Sequence, residues 1–284
     1  MSEVRVLSAE VRVPTANGQR PTANGQSPAA NRPLYAAPVT DDAAVGFEAA
    51  EALLLEAAFE DCRTLWYSSN YVYLCQMTAP SGGTFAAVYK PLKGESPLWD
   101  FPEGRLYRKE VAAYRLSQLL EWTFIPPTVA REGPHGIGSV QLFVSHNQES
   151  HFFEQRENPE LIAQLQRICV FDAIANNADR KGGHCLLDEA GRIWGIDHGL
   201  CFHSDYKLRS VIWDWADDPI PEGWLEDVAR LRDCLGAEAP ETLGLLEMMS
   251  PAETRAMLLR MDRLLIERRF PKPGPNRHYP WPLV

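Results

Sequence analysis

The chain has 284 residues, 45% apolar and 23% charged, which suits a globular protein of one large domain or two lobes. Its 28 Lys and Arg face 38 Asp and Glu, and the net charge of −10 argues against non-specific nucleic-acid binding and against docking on an anionic membrane. No apolar run approaches the roughly 20 residues of a membrane span, and the opening "MSEVRVLSAE" lacks the apolar stretch of a signal peptide.

Residues 1–46 carry "PTANGQ" at 14–19 and again at 21–26, followed by the degenerate "SPAANRP". Nothing apolar recurs at heptad spacing, and such small polar and Pro residues bury too little surface to offset ordering, so this stretch is expected to be a disordered tail. Its four Arg and four acidic residues cancel, which leaves the acidic excess in residues 47–284.

From Phe47, "FEAAEALLLEAAFEDC" has helical spacing and strong helix formers. "NYVYLCQM" and "TFAAVYK", joined by "TAPSGG", read as a hairpin. "GRLYRKEVAAYRLSQLLEW" reads as an amphipathic helix, and "IPPTVARE" and "GIGSVQLFVSH" as two further strands. Residues 47–145 are therefore expected to form a small sheet-bearing lobe, and residues 146–284 a mainly helical one. The second lobe opens with a helix over 157–175 and two short strands inside "NNADRKGGHCLLDEAGRIWGIDHGL" (176–200). Helices follow in "EGWLEDVARLRDCL", "APETLGLLEMM" and "SPAETRAMLLRMDRLLIERRF", the last with Ser250 as N-cap, Pro251 at the first helical position and Glu253 closing a capping box. The Pro-rich end "PKPGPNRHYPWPLV" is expected to lie extended on the surface.

The six cysteines, Cys62, Cys75, Cys169, Cys185, Cys201 and Cys234, are scattered and form no CxxC, which reads as reduced thiols in a cytoplasmic protein.

Lys90 ends the apolar strand "AAVYKP", and the next helix offers Glu110 in "RKEVAAY". A lone strand lysine is ordinarily a solvated edge residue; paired with a carboxylate, its ammonium is held ready for phosphate oxygens. Asp197 ends "RIWGI" and precedes "HGL", a setting that suits a metal ion carrying phosphates. Asp179, in the polar loop before it, is placed to accept a hydroxyl proton. Each acid alone passes for a turn residue, but the ordered set of Lys, Glu, loop Asp and strand-end Asp is hard to obtain by chance. Between the Lys strand and the Glu helix, Trp99, Asp100 and Phe101 form an aromatic–acidic insert, with packing between the lobes the expected role of Trp99 and Phe101.

This order resembles the phosphoinositide 3/4-kinase branch of the protein-kinase-like superfamily, most of all the type II phosphatidylinositol 4-kinases. "VYKP" is similar to the nucleotide-lysine strand, "KEVAAYRLS" to the helix of the paired Glu, "GSVQLFV" to the hinge strand, "FDAIANNADR" to the approach to the catalytic Asp, and "GIDHGLCF" to the metal-Asp motif. The resemblance covers about residues 64–205, and "LWDFP" and "NNADRKGGH" look typical of a narrower bacterial subgroup.

The resemblance implies an α+β, bilobal protein-kinase-like fold, with a small sheet-containing N-lobe and a mainly helical C-lobe. It implies an ATP-dependent phosphotransferase using Mg2+ or Mn2+. Lys90 and Glu110 would serve the nucleotide phosphates, Asp179 catalysis, Asp197 the metal, and Gln141, Leu142, Phe143 and Val144 the adenine. Ser68, Ser69 and Asn70 fall where a phosphate-covering turn belongs. His184 departs from the pattern, standing five residues after Asp179, where the family carries an Asn metal ligand. Three readings follow: His184 ligates metal and favours Mn2+; it donates to phosphate; or metal binding is impaired and the protein is a weak kinase or pseudokinase.

The acceptor hydroxyl is left open among a soluble metabolite, a protein and an inositol lipid. No basic patch or amphipathic membrane helix marks the sequence, so peripheral membrane contact is not expected. Two rivals differ in chemistry. One transfers AMP from the same fold. The other is a metal-dependent hydrolase using His184, His198 and His203 with Asp179 and Asp197, although no HxxH or HExxH spacing on a helix supports it.

Overall fold

The computed structural model describes residues 3–5, 44–65, 70–101, 104–275 and 277–284. The strands β1 (Glu3–Arg5) and β2 (Ala44–Gly46) pair antiparallel, so the two described ends of the expected tail are joined in a short ladder. The repeat between them lies outside the described residues.

Helix α1 (Phe47–Glu56) buries Phe47, Ala50 and Leu54 and stops one residue before β3 (Ala58–Leu65). Here the structure corrects the helix expected through Cys62: "AFEDCRTL" is a strand. Its own composition favours helix, and pairing with β4 (Val72–Thr78) overrides that preference. Cys62 lies directly opposite Cys75 in this ladder and is disulfide-bonded to it, which corrects the expectation of six reduced thiols. Cys169, Cys185, Cys201 and Cys234 are free.

Strand β5 (Thr84–Pro91) completes the hairpin through the turn at Gly82 and Gly83. Helix α2 (Leu106–Leu119) follows, then β6 (Thr128–Gly133) and β7 (Gly136–Leu142). The five strands pair in the order β3-β4-β5-β7-β6, with α1 and α2 packed against β6 and β7. Burial alternates strictly along β5: Phe85, Ala87 and Tyr89 point into the core, and Val88 and Lys90 to the other face. At the β5–β7 crossing a Cβ on Gly138 would lie 2.5 Å from the Lys90 carbonyl oxygen, so only glycine lets the two strands approach where Lys90 emerges.

The helical lobe begins with α3 (Phe152–Gln155) and α4 (Pro159–Ala175). Asn158 caps α4 by accepting from the Glu160 N–H, Pro159 takes the first helical position, and Asn176 closes the helix in the left-handed conformation (φ 55°). The short strands β8 (Cys185–Leu187) and β9 (Ile193–Gly195) pair antiparallel, as the sequence suggests. Asp188 at the tip accepts from the Ala190 and Arg192 N–H groups with Oδ1 and from the Trp194 indole with Oδ2, which fixes the turn. Helices α5 (Glu222–Gly236), α6 (Leu243–Leu246) and α7 (Pro251–Glu267) finish the lobe, α7 with the expected Ser250–Glu253 capping box. One hydrophobic core runs through both lobes, from Leu54 and Tyr89 to Phe171, Phe202 and Met261. Among the described residues no helix is long and apolar enough to cross a membrane.

Candidate active site between the lobes

Lys90 leaves the end of β5 and reaches across the lobe boundary. Its Nζ lies 2.5 Å from Glu110 Oε1 on α2 and 2.8 Å from Asp197 Oδ1, just past β9. Burial opposes the charge on Lys90, but the Asp197 and Glu110 carboxylates outweigh it and raise its pKa. Two carboxylates thus share one ammonium. Lys90 holds Asp197 well below the usual carboxylate range, while burial pushes Glu110 up against the pull of Lys90. Glu110 Oε2 also accepts from the His198 backbone N–H at 3.0 Å, a second tie between α2 and the Asp197 loop. Asp197 itself has φ 59°, a left-handed conformation that Asp tolerates better than most residues.

His184 stands beside this pair, its Nε2 3.4 Å from Asp197 Oδ2. Burial lowers its pKa to about 4, so the imidazole is neutral. The Lys181 backbone N–H donates to Nδ1 at 3.4 Å, which places the ring proton on Nε2, toward Asp197. Asp179 faces the same space from the preceding loop and pairs with Lys181 at 3.2 Å. Burial pushes Asp179 up to about 6, with Lys181 opposing and the Asp197 charge adding to the rise.

Arg180, between these two side chains, is fully buried. It holds Asp172 through two bonds (Nε to Oδ2 at 2.8 Å, Nη2 to Oδ1 at 2.9 Å) and donates to the carbonyls of His184 and Ile196. Its Nη2 also meets His198 Nε2 at 2.7 Å. One guanidinium therefore pins the backbone after Asp179, at His184 and before Asp197. The sequence alone does not single out Asp172, which sits on α4 as an unremarkable helix acid. Nor does it single out Lys181, two residues past Asp179.

Two adjoining cavities open at this point, and both are lined by Val72, Lys90, His184 and Asp197. One, of about 240 Å3, also holds Glu110, Asp179, Lys181 and Asn70. The Ser96 N–H donates to Asn70 Oδ1, which ties Asn70 to the turn after β5; Ser68 and Ser69 lie outside the described residues. The other, of about 400 Å3, is apolar and runs along Gln141, Leu142, Phe143 and Val144. In that segment the Leu142 and Phe143 N–H groups are spent on the Pro127 and Ala86 carbonyls, and the Gln141 amide donates to Thr128 Oγ1.

In the aromatic–acidic insert Phe101 is buried and packs edge-on against His203, and Asp100 pairs with Arg209. Trp99 is 89% exposed, which corrects the expectation that it packs between the lobes. No group of three or more His, Cys, Asp or Glu poised to hold a metal exists among the described residues. Asp197 fits one that shares its coordination with substrate phosphates, since Mg2+ is commonly held by one or two carboxylates plus phosphate oxygens. His184, with its proton on Nε2, presents a donor on that side.

A lysine–glutamate pair in a small sheet lobe, set over two loop carboxylates in a helical lobe, is the architecture of the protein-kinase-like class. A solved structure described as the golgi casein kinase shares the fold at TM-score 0.50 and 13% identity, over 78% of this chain and 74% of that one. Residues 121–221 match the family model "Phosphatidylinositol 3- and 4-kinase". Protein Rv2133c of Mycobacterium tuberculosis is 37% identical over 248 residues, covering 76% of this chain and 88% of that protein. Phosphatidylinositol 4-kinase gamma 4 of Arabidopsis thaliana is 26% identical over 241 residues, and the match spans 68% of this chain but 41% of the plant protein. The chain belongs to the phosphatidylinositol 3- and 4-kinase-like branch of that class.

Proposed function

We propose that the protein is an ATP-dependent phosphotransferase acting on a hydroxyl acceptor. The observation that carries this reading is Lys90, bonded at once to Glu110 in one lobe and Asp197 in the other. That cation is held at the junction of an apolar cavity and a polar one. The apolar cavity suits an adenine between Val72, Val88, Leu186 and Ile196, with the end of the 141–144 segment supplying its backbone partners. The polar cavity then takes the triphosphate and the acceptor.

Lys90 binds phosphate oxygens and Glu110 keeps its ammonium on target. Asp197 would hold a divalent ion, which when bound neutralises charge on the phosphates. Asp179, with its pKa raised toward neutrality, is suited to orient the acceptor hydroxyl and take its proton. The Nε2–H of His184 donates to Asp197 or to a phosphate oxygen. That tautomer favours the second of its three readings, a phosphate donor in place of a metal ligand.

The test is transfer of label from γ-labelled ATP to a panel of hydroxyl compounds, inositol lipids and proteins, with Mg2+ and with Mn2+. Lys90→Met and Asp197→Asn should each abolish transfer. Label carried over from α-labelled ATP would instead identify AMP transfer. ATP binding without any transfer, under both metals, would identify a nucleotide-binding pseudokinase.

A further inference from the structure

A cavity of about 470 Å3 lies in the helical lobe and shares no lining residue with the two interlobe cavities. Its volume is that of a small-molecule pocket. The second half of α7 and the segment after it form its walls, with buried Leu264 and Phe270 as an apolar surface and Tyr206 at one side.

Its charge runs against that of the whole chain. Four cations, Arg260, Arg263, Arg269 and Lys272, line it against two carboxylates, Asp217 and Glu267, in a protein of net charge −10. The two carboxylates are already taken: Glu267 pairs with Arg263 at 2.8 Å and Asp217 with Lys272 at 3.0 Å. Arg269 donates to the Asp217 main-chain carbonyl, and neither it nor Arg260 meets a carboxylate among the described residues.

Arg260 is the more telling of the two. It is only 9% exposed, yet among the described residues its hydrogen-bond partners are the carbonyls of Ile174 (2.8 Å) and His203 (3.4 Å) alone. Its Nη2 is buried without a hydrogen-bond partner among the described residues. Burial lowers its pKa to about 10. A buried guanidinium without an ion-pair partner is costly, and an anion in the cavity beside it offsets part of that cost.

We propose that this cavity binds a small soluble phosphate ester with an apolar body, its phosphate held by Arg260 and Arg269 and its body lying against Leu264, Phe270 and Tyr206. Two cations without an ion-pair partner among the described residues match the charge of about −2 on a phosphate monoester better than a single carboxylate would. The site is independent of the phosphotransfer reading.

Calorimetric titration of the full chain with phenyl phosphate and with inorganic phosphate tests it. Phenyl phosphate should bind saturably and about tenfold more tightly than inorganic phosphate, because only it has apolar surface to bury. Arg269→Gln should weaken it about tenfold, and Lys90→Met should leave it unchanged. Arg260→Gln should weaken it further; if that variant does not fold, Arg269→Gln decides alone. Absence of saturable binding overturns the proposal, as does binding that survives Arg269→Gln or that Lys90→Met removes. Pelleting with phosphatidic-acid vesicles that depends on Arg269, without phenyl phosphate binding, would also overturn it, in favour of a lipid-borne headgroup.

Discussion

Asp179 holds its proton more tightly in the folded chain than in the unfolded one, because burial lifts its pKa from 3.8 to about 6. Its contribution to stability is present in full below about pH 4 and is lost as pH rises through about 6, so at neutral pH the ionised carboxyl weighs against folding. Asp179→Asn should therefore remove phosphotransfer while raising the thermal midpoint at about pH 8, a difference that closes on acidification. In the wild type, the rate should climb as pH rises through about 6, where the base loses its proton. A flat profile across that range would remove Asp179 from the base role. His184 gives a second contrast. His184→Ala should weaken ATP binding about tenfold with either metal if the ring donates to phosphate. A loss confined to Mn2+ would restore the metal-ligand reading. Lys90, Asp179 and Asp197 were legible because each ends or follows an element whose pattern is clear, and Glu110 because it lies on a helix of clear periodicity. Lys181 was not, since its meaning comes only from the fold of the Gly182–Gly183 turn.

At the level of elements, the loop of Asp179 and the β8–β9 hairpin behave as one body, because Arg180 bonds to α4, to the His184 carbonyl and to the Ile196 carbonyl. Arg180→Leu leaves Asp172 buried without its cation, with only the Asn177 amide donating to its side chain, frees the Ile196 carbonyl, and leaves the His184 carbonyl only the Ile196 N–H. It should cost about 3–5 kcal/mol in urea unfolding, as breaking a buried pair does. A cost below about 1 kcal/mol would show that the loop holds its shape without it. The helices and hairpins were readable from periodicity and capping, down to Ser250 and Glu253. β3 was not: "AFEDCRTL" alternates poorly and is rich in helix formers, and its strand exists only because β4 presents an open edge to it. The Cys62–Cys75 bond was hidden for the same reason, since its partners become neighbours only once that register is set.

Across the whole molecule, α2 belongs to the sheet lobe but is fastened to the helical one. Lys109 Nζ lies 2.5 Å from Glu253 Oε1 at the start of α7, Arg108 donates to the Glu247 carbonyl, and Glu110 receives the His198 N–H. The Lys109–Glu253 contact is largely buried, at 10% and 12% side-chain exposure. Loosening it should let α2 shift and carry Glu110 away from Lys90. Lys109→Met should therefore weaken ATP binding several-fold although Lys109 lines neither cleft cavity. The same variant has a pH signature. Burial acts to raise the pKa of Glu253, but the Lys109 hydrogen bond and the Ser250 cap overcome it, and the net shift is downward from 4.5. A depressed carboxylate stabilises the fold above its unfolded pKa and loses that contribution as pH falls. The stability gap between wild type and Lys109→Met should thus be widest near neutral pH and narrow as pH drops below about 4.5, read from urea unfolding across that range. A gap that stays constant with pH would mean that Lys109 acts by packing alone. ATP affinity unchanged by Lys109→Met would mean that α2 is held in place by its contacts with β6 and β7, with no help from the helical lobe.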